Sequence, residues 1–255
     1  KFFSNRLNLD LALYKNTTTD QILGVSQSSE TGATKVMMNA GRVENKGIEI
    51  SFRLRPVQTR DLLWEINGNW ARNKNKLCEL NDGWDPSTPL QTSMGVTIGS
   101  RTFVYSYIGE EMHWIYGRDY VRAPKGSTYT DENGTVIDCS GMPIIDPKTG
   151  YPSLIEDPNQ RIAKVNPDWK AGFGTSVRYK NLSFSVQFTA QVGGNSFSVT
   201  NFALSYQGKL KNSLPGREDG LVLKGVNAVD NGDGTISYRK NNTITENVYI
   251  YYNKY

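Results

Sequence analysis

Hydrophobic and polar residues alternate without interruption between Ile48 and Leu54. The even-numbered positions of this stretch are apolar, and the odd-numbered positions are Glu49, Ser51 and Arg53. A period of two predicts a β-strand with one apolar and one polar face. The polar, glycine-containing lead-in from 39 to 47 is typical of a loop that joins the edge of a sheet. A soluble sheet protein and a membrane barrel could both use such a strand.

The same alternation recurs along the chain and predicts further strands. We expect strands at Arg6–Tyr14, at the stretch ending at Leu54, at Leu62–Trp70, Arg101–Ile108, His113–Arg122, Trp169–Tyr179 and Leu182–Val192, with a last one opening near Thr245. Long polar connections separate some of them, at about 15–40, 73–99, 123–167 and 193–242. The intervening connections are short, as at Lys180-Asn181.

This regular change between long and short connections favours a membrane barrel over a soluble fold. Outer-membrane barrels have short turns on the periplasmic side and long loops outside. Soluble sandwiches and barrels do not require that asymmetry. The polar face also keeps Glu, Asn, Gln, Ser and Arg along whole strands, as a hydrated lumen would allow. The fold class we predict is all-β, a transmembrane antiparallel β-barrel.

Composition agrees with a sheet protein and excludes several other classes. Aromatic residues make up 11%, including 14 Tyr, and Gly reaches 24. The net charge of +4 is too small and too dispersed to indicate nucleic-acid binding. A mean hydropathy of -0.52 and the lack of an apolar run near 18 residues exclude a transmembrane helix. They leave a barrel open, because its strands direct only alternate residues to lipid.

Two further features concern the extent and the oxidation state of the chain. Lys1-Phe2-Phe3 leads straight into a strand pattern without a signal peptide, so we expect a fragment or a processed piece. Cys78 and Cys139 lie in predicted loops, and the sequence leaves open whether they pair. Their spacing does not fit a metal site. We expect no metal and no cofactor.

Several segments together resemble the SusC/RagA family of TonB-dependent outer-membrane transporters. The most specific is NAGRVENKGIEI, which is similar to the family's Asn-x-Gly-x-Val-x-Asn-Lys-Gly-hydrophobic-Glu signature. In the segment YIGEEMHWIYG, Glu111 stands where the family commonly has proline. The matching segments are Asn5–Leu23, Asn39–Ile50, Trp64–Leu77, Tyr107–Gly117, Asn166–Gly194 and Gln207–Leu221.

The resemblance implies that the chain is part of a larger polypeptide. It corresponds to roughly the second half of a barrel of about 22 strands, with the plug domain, the TonB-binding segment and the final strands missing. The intact protein would import an oligosaccharide or a peptide across the outer membrane of a Gram-negative bacterium. Its partners would be a SusD-like surface lipoprotein and the TonB–ExbB–ExbD complex, and transporter–lipoprotein pairs could form a dimer.

The two faces of the strands supply the candidate site residues. We expect these residues to face lipid: Leu9, Leu11, Ile48, Ile50, Phe52, Trp64, Phe184, Val186 and Phe188. We expect these to face the lumen or the cargo: Glu49, Arg53, Glu65, Asn67, Asn69, His113, Trp114, Tyr116, Arg118, Gln187 and Gln191. The polar ones could merely hydrate the interior and hold the plug, or some could contact cargo. The aromatic group around His113 could stack on a sugar or belong to the barrel wall.

The remaining motifs favour structural roles over catalysis. Asp230–Gly234 resembles a calcium loop, but its spacing differs from an EF-hand, so a tight turn is the preferred interpretation. The single histidine, His113, has no recognisable nucleophile beside it. We therefore predict no enzyme activity. The alternative functions are a passive outer-membrane porin and a soluble carbohydrate-binding β protein.

Overall fold

A computed structural model describes residues 3, 5–26, 35–39, 41–80, 84–91, 102–157 and 159–245. The strands are β1 (Leu7–Thr18), β2 (Ile22–Ser26), β3 (Lys35–Asn39), β4 (Arg42–Gln58), β5 (Leu62–Glu79), β6 (Leu90–Gln91), β7 (Phe103–Ser106), β8 (Trp114–Gly117), β9 (Thr128–Thr130), β10 (Val136–Asp138), β11 (Gln160–Lys164), β12 (Pro167–Tyr179), β13 (Leu182–Gly193), β14 (Leu221–Val222), β15 (Val226–Asp230), β16 (Ile236–Lys240) and β17 (Ile244–Thr245). One α-helix, α1 (Val199–Tyr206), and a 3-10 turn (Lys211–Ser213) complete the described elements. Among these elements, no helix has the length and apolarity that crossing a membrane requires.

The chain divides into two compact units. The first consists of Lys1–Met94, Val104–Ile115 and Ala163–Asn195, and the second of Gly95–Phe103, Tyr116–Ile162 and Ser196–Tyr255. The long strands β1, β4, β5, β12 and β13 all belong to the first unit.

These long strands form one antiparallel sheet in the order β1-β4-β5-β12-β13. Its register brings the apolar positions of neighbouring strands into common rows. One row consists of Leu9, Phe52, Gly68, Phe173 and Phe188, and the next consists of Asp10, Ser51, Asn69, Gly172 and Thr189. Because alternate rows point to opposite sides, the sheet has one apolar and one polar face. The sheet is open at both β1 and β13, as expected for an arc of a larger barrel.

The apolar face is exposed over a height that fits a membrane. Leu11, Leu13, Phe184 and Phe188 are between 61% and 72% exposed. The apolar positions of β13 extend from Leu182 to Val192, about 34 Å along the strand at about 3.4 Å per residue. With a strand tilt of about 40° this gives roughly 26 Å, close to the apolar band of about 25 Å on outer-membrane barrels.

Several strands extend further than the alternation predicted. β1 ends at Thr18 instead of Tyr14, and β5 ends at Glu79, well into the predicted loop at 73–99. The expected loop at 39–47 is mostly strand, since β4 starts at Arg42. The pairing Arg42↔Glu79 shows the reason. A ladder of backbone hydrogen bonds can continue beyond the apolar band, where most side chains on both faces are polar and hydrophobic alternation gives no signal.

The strands predicted at Arg101–Ile108 and His113–Arg122 are not part of this sheet. Only Phe103–Ser106 and Trp114–Gly117 are strands there, and Arg101 lies outside the described residues. β12 pairs directly with β5, from Lys170↔Ala71 to Tyr179↔Leu62. The chain between β5 and β12 is therefore one long connection instead of two loops separated by wall strands. The hairpin at Lys180-Asn181 is confirmed.

A small apolar cluster forms beyond the apolar band, at the end of β4 and β5 that contains Arg42 and Glu79. Val43 and Leu77 are register partners, and they pack with Leu80, Leu90 and Met112. Leu77 is completely buried. Its amide donates to Glu110 O and its carbonyl accepts from Gly109 N. Residues 109–111 thus bond to β5 beyond Ala71, which is the last residue of β5 that pairs with β12.

The second unit is built from short hairpins around its own cluster. β9 pairs with β10, β15 with β16, and β14 with β17. Ala123, Cys139 and Val226 are buried together. Much of the predicted loop 193–242 is thus regular structure, including α1, whose N-cap Ser198 accepts from Asn201 N. Short elements of this kind lack the long alternation that made the sheet strands visible in the sequence.

The structure describes both cysteines and the Asp230–Gly234 segment. Cys78 and Cys139 are both free thiols. Asp230–Gly234 closes the β15–β16 hairpin as a tight turn. In that turn the Asp230 carboxylate accepts from Gly232 N at 2.9 Å, and the Asp233 carboxylate accepts from Thr235 N at 2.8 Å.

Candidate functional site

The polar face of the five-stranded sheet contains most of the predicted lumen residues. The register places the following on this face: Glu49, Arg53, Glu65, Asn67, Asn69, Gln187 and Gln191. The opposite face contains all the predicted lipid-facing residues: Leu9, Leu11, Ile48, Ile50, Phe52, Trp64, Phe184, Val186 and Phe188. The assignment of these two faces to lumen and lipid remains a prediction.

Two arginines hold Glu65 on the polar face, near the end of the sheet that contains the short turns 59–61 and 180–181. Arg55 Nε donates to Glu65 Oε2 at 2.9 Å, and Arg53 Nε lies 3.4 Å from Oε1. The Glu65 side chain is 22% exposed, and the Arg53 side chain is 56% exposed. The Arg53–Glu65 pair is therefore hydrated and contributes little to stability, about 0–1 kcal/mol. The two ion pairs fix three charged groups in one position on the sheet. Arg55 was absent from the sequence prediction.

The side chains of Asn67 and Asn69 lie over glycines of the neighbouring strand. Asn67 is the register partner of Gly174, and Asn69 is the partner of Gly172. A Cβ at Gly174 would lie 2.8 Å from Asn67 Oδ1, and one at Gly172 would lie still closer to Asn69 Oδ1. The glycines thus leave room for the amides along the sheet. The result is a strip of hydrogen-bond donors and acceptors that any polar solute could use.

The glycine of the signature segment has a similar role higher on the same face. Tyr14 is the register partner of Gly47, and its ring occupies the space that a Cβ at Gly47 would need. Aromatic side chains commonly cover glycines of a neighbouring strand in this manner. This contact accounts for the glycine at position 47, because a side chain there would collide with the Tyr14 ring.

Asn166 joins the long connection to the top of the sheet. Its Nδ2 donates to Met112 O at 3.1 Å and to Asn75 Oδ1 at 3.2 Å. Lys164 nearby lies 2.5 Å from Asp168 and 3.6 Å from Glu111. The Asp168 carboxylate raises the pKa of Lys164 by its hydrogen bond. The sequence prediction missed these residues; the only signal was Asn166-Pro167 inside a matched segment.

The aromatic group around His113 is divided between the two units. His113 and Trp114 belong to the first unit, whereas Tyr116 and Arg118 belong to the second. Tyr116 is only 6% exposed, and its hydroxyl accepts from Arg161 Nε at 3.1 Å. This burial favours a structural role for Tyr116 over sugar stacking. Arg118 is exposed.

His113 has a constrained backbone and a shifted pKa. Its φ is +68°, its amide donates to the buried Ser106 Oγ at 3.1 Å, and its carbonyl accepts from Val165 N at 3.0 Å. It is half buried and lies between β7 and β8, outside the five-stranded sheet. Burial lowers the pKa of the imidazole from its ordinary value of 6.5.

Within the described part of the chain, no group of three or more His, Cys, Asp or Glu side chains could hold a metal ion. The polar face instead offers amides, hydroxyls and the charged group formed by Glu65 with Arg53 and Arg55. Such a surface can bind or pass a hydrophilic solute.

An open antiparallel sheet with one exposed apolar face and one continuous polar face is the architecture of an arc of an outer-membrane-type β-barrel. Residues 1–227 match the family model described as TonB dependent receptor-like, beta-barrel. The chain belongs to this TonB-dependent receptor family, which comprises receptors and transporters and not enzymes.

Known proteins of the family are similar over most of the chain. TonB-dependent receptor P3 of Formosa agariphila is 28% identical over 200 residues, 78% of this chain and 20% of its own length. TonB-dependent receptor SusC of Bacteroides thetaiotaomicron is 24% identical over 195 residues, 75% of this chain and 18% of its own. The chain therefore spans about a fifth of the length of these relatives.

A solved structure described as the RagAB peptide transporter has the same fold. The TM-score is 0.56 at 20% sequence identity, covering 78% of this chain and 20% of that chain. The SusC/RagA resemblance of the sequence is thereby confirmed.

Proposed function

We propose that the intact polypeptide imports a hydrophilic nutrient across the outer membrane of a Gram-negative bacterium with energy from TonB. The principal support is the two-faced five-stranded sheet in a chain of the TonB-dependent receptor family. The apolar face would contact lipid, and the polar face would line the lumen or the plug.

The orientation follows from the connections. β1 and β4 are joined by a long connection at the end where Thr18 pairs with Val43, and β5 and β12 leave the sheet at this same end. The opposite end has the short turns 59–61 and 180–181. By the asymmetry of outer-membrane barrels, the long connections would be extracellular. The connections expected at 15–40 and 193–242 would then lie outside, as would the single long connection between β5 and β12 that includes 73–99 and 123–167. β1 and β4 continue into the first of these connections, and β5 continues into the one that leads to β12.

The cargo would be an oligosaccharide or a peptide, which both need many polar contacts and exceed the size that general porins pass. Amides such as Asn67, Asn69, Gln187 and Gln191 can donate to and accept from either class. A SusD-like lipoprotein would cover the extracellular end, and TonB–ExbB–ExbD would act through parts of the polypeptide beyond this chain. Two transporter–lipoprotein pairs could associate as a dimer.

The test uses the complete gene in its own bacterium. We expect its product in the outer-membrane fraction, and we expect deletion to abolish uptake of one labelled oligosaccharide or peptide. Uptake should also stop when TonB is removed. Uptake that persists without TonB would support a passive porin, and recovery of the product in the soluble fraction would support a soluble binding protein. Either result would overturn the proposal.

The contribution of the polar strip can be measured in the same strain. We expect replacing Asn67 and Asn69 together by Ala to reduce uptake severalfold while the protein stays in the outer membrane. Replacing exposed Ser183 and Ser185 of the same face serves as the matched control. Equal uptake by both double variants would show that Asn67 and Asn69 only hydrate the lumen.

A further inference from the structure

The apolar face of the sheet ends in a band of cations. Above Leu13 and Ile48, the next positions of the same face are basic on three adjacent strands. Lys15, Lys46 and Lys74 share one register row, with Arg72 and Lys76 immediately below and above Lys74 on β5. We call these five residues the basic band.

The basic band is unusually positive for a sheet surface. Directly opposite like charges on neighbouring strands destabilise a sheet. Glu44 partly compensates, since its carboxylate lies 2.8 Å from Lys15 Nζ and 2.6 Å from Lys46 Nζ. Lys76 is the register partner of Glu44, and Asp168 interacts electrostatically with Arg72 and Lys74 while it accepts a hydrogen bond from Lys164. Among the described residues, no carboxylate forms a salt bridge with Arg72, Lys74 or Lys76, and all three side chains are exposed. The band therefore keeps a positive excess that an external anion could neutralise.

The band also borders an apolar groove. A surface groove on β1, β4 and β5 is lined by Leu13 and Ile48 together with Lys15, Lys46, Arg72 and Lys74. Acyl chains could run along Leu13 and Ile48, while a phosphate group would meet the ammonium and guanidinium groups. Arginine forms paired hydrogen bonds to phosphate oxygens, and lysine adds a point charge.

We propose that the basic band binds the phosphorylated headgroup of a membrane lipid in the leaflet at this end of the barrel. The proposal rests on the proposed function, which places the apolar face in lipid and the long connections outside. Basic pockets at the end of an apolar membrane surface recognise anionic headgroups by the same combination of charge and depth. The occupant that fits both parts of the groove is a phosphorylated lipid, because a soluble anion would use only the cations.

The experiment uses the full-length protein purified from the outer membrane in detergent. Native mass spectrometry would measure binding of bisphosphorylated lipid A, of the same lipid without phosphates, and of inorganic phosphate. We expect the bisphosphorylated lipid to bind at least tenfold more tightly than the dephosphorylated one, with no retained inorganic phosphate. Equal binding of the two lipids, or retention of inorganic phosphate alone, would overturn the proposal.

Variants identify the band as the site. Each cation near a membrane surface contributes about fivefold to the affinity for anionic lipid, so Arg72→Gln with Lys74→Gln should weaken binding about 30-fold. Arg72→Lys should retain most of it. The control is Lys170→Gln, an exposed lysine of β12 paired with Ala71 on the polar face. A loss as large in Lys170→Gln as in the double variant would overturn the proposal.

Two readouts separate this proposal from the proposed function. Recovery of the wild-type protein outside the outer membrane would refute the function, and with it the basis of the lipid site. A protein that is in the outer membrane, imports its cargo and shows no preference for phosphorylated lipid would refute the lipid site alone. If the double variant does not fold, the comparison of the two lipids on the wild type still decides.

Discussion

The ring of Tyr14 on β1 covers Gly47, its register partner on β4, and occupies the space where a side chain of residue 47 would begin. This contact lies on the polar face, just above the height at which the opposite face is apolar. It connects the first strand of the sheet to the signature segment of the second.

The first prediction concerns this contact. Gly47→Val should displace the Tyr14 ring and destabilise the intact protein by about 1–3 kcal/mol, as overpacking does. Urea unfolding of the protein in lipid vesicles would measure it. In the double variant with Tyr14→Ala, most of the cost should disappear because the two side chains no longer collide. Exposed Ala12→Val is the control; additive effects of Gly47→Val and Tyr14→Ala would show that the contact does not matter.

The second prediction concerns the two faces of β4. Ile50→Lys should impair insertion, by about 2–4 kcal/mol if residue 50 lies near the membrane midplane. Ser51→Lys, one residue further on, should be tolerated because it points to the hydrated face. The folded fraction in the outer membrane measures both. Equal tolerance of lysine at the two positions would show that the faces are assigned wrongly.

The third prediction concerns the connection held by Asn166. Asn166→Ala removes the donor that bonds Met112 O and Asn75 Oδ1, and should raise hydrogen exchange of residues 107–112 about tenfold. Asn166→Asp should raise it more, because a carboxylate would face two acceptor oxygens. Asn73→Ala, an exposed residue on the same strand as Asn75, should leave exchange unchanged. An Asn166→Asp variant as protected as the natural protein would contradict the role of this amide.

The fourth prediction concerns pH. Because burial lowers the pKa of His113, the folded segment binds fewer protons than the unfolded one. The histidine's contribution to local stability is therefore complete above its ordinary pKa of 6.5 and is lost progressively as pH falls below that value. Hydrogen exchange of residues 104–115, corrected for its intrinsic pH dependence, should increase as pH falls from 7 to 5. His113→Gln should remove that increase, and an unchanged pH profile in this variant would contradict the assignment.

The sequence predicted the strands that cross the apolar band, but not where they end. Ile48 to Leu54 was visible because the apolar and polar faces of the sheet require different side chains at alternate residues. Between Arg42 and Lys46 most side chains on both faces are polar, so this part of the strand gave no periodic signal. At Phe103–Ser106 and Trp114–Gly117 the prediction was too long instead of too short. The alternation there suggested strands of the barrel wall, but both strands are short and lie outside the five-stranded sheet.

The sequence predicted which face of the sheet the candidate residues would occupy, but not which residues would contact each other. The alternation placed Glu65, Asn67 and Asn69 correctly on one face. It could not show that Arg55 would meet Glu65, or that Gly172 and Gly174 would leave room for the asparagines. Those contacts join residues 10 to more than 100 positions apart, and a local pattern contains no information about them.

The sequence by itself determined that this chain forms amphipathic strands joined by turns, because alternation and turn residues act over a few positions. Its motif segments, and not the alternation, indicated the TonB-dependent family. Only the tertiary structure decided which strands are neighbours. The hydrogen-bonded register between β5 and β12 excludes the intervening chain from the wall, and the alignment of β1, β4 and β5 collects Lys15, Lys46 and Lys74 into one row. Register depends on the ladder of backbone hydrogen bonds between distant segments, and that ladder exists only in the folded sheet.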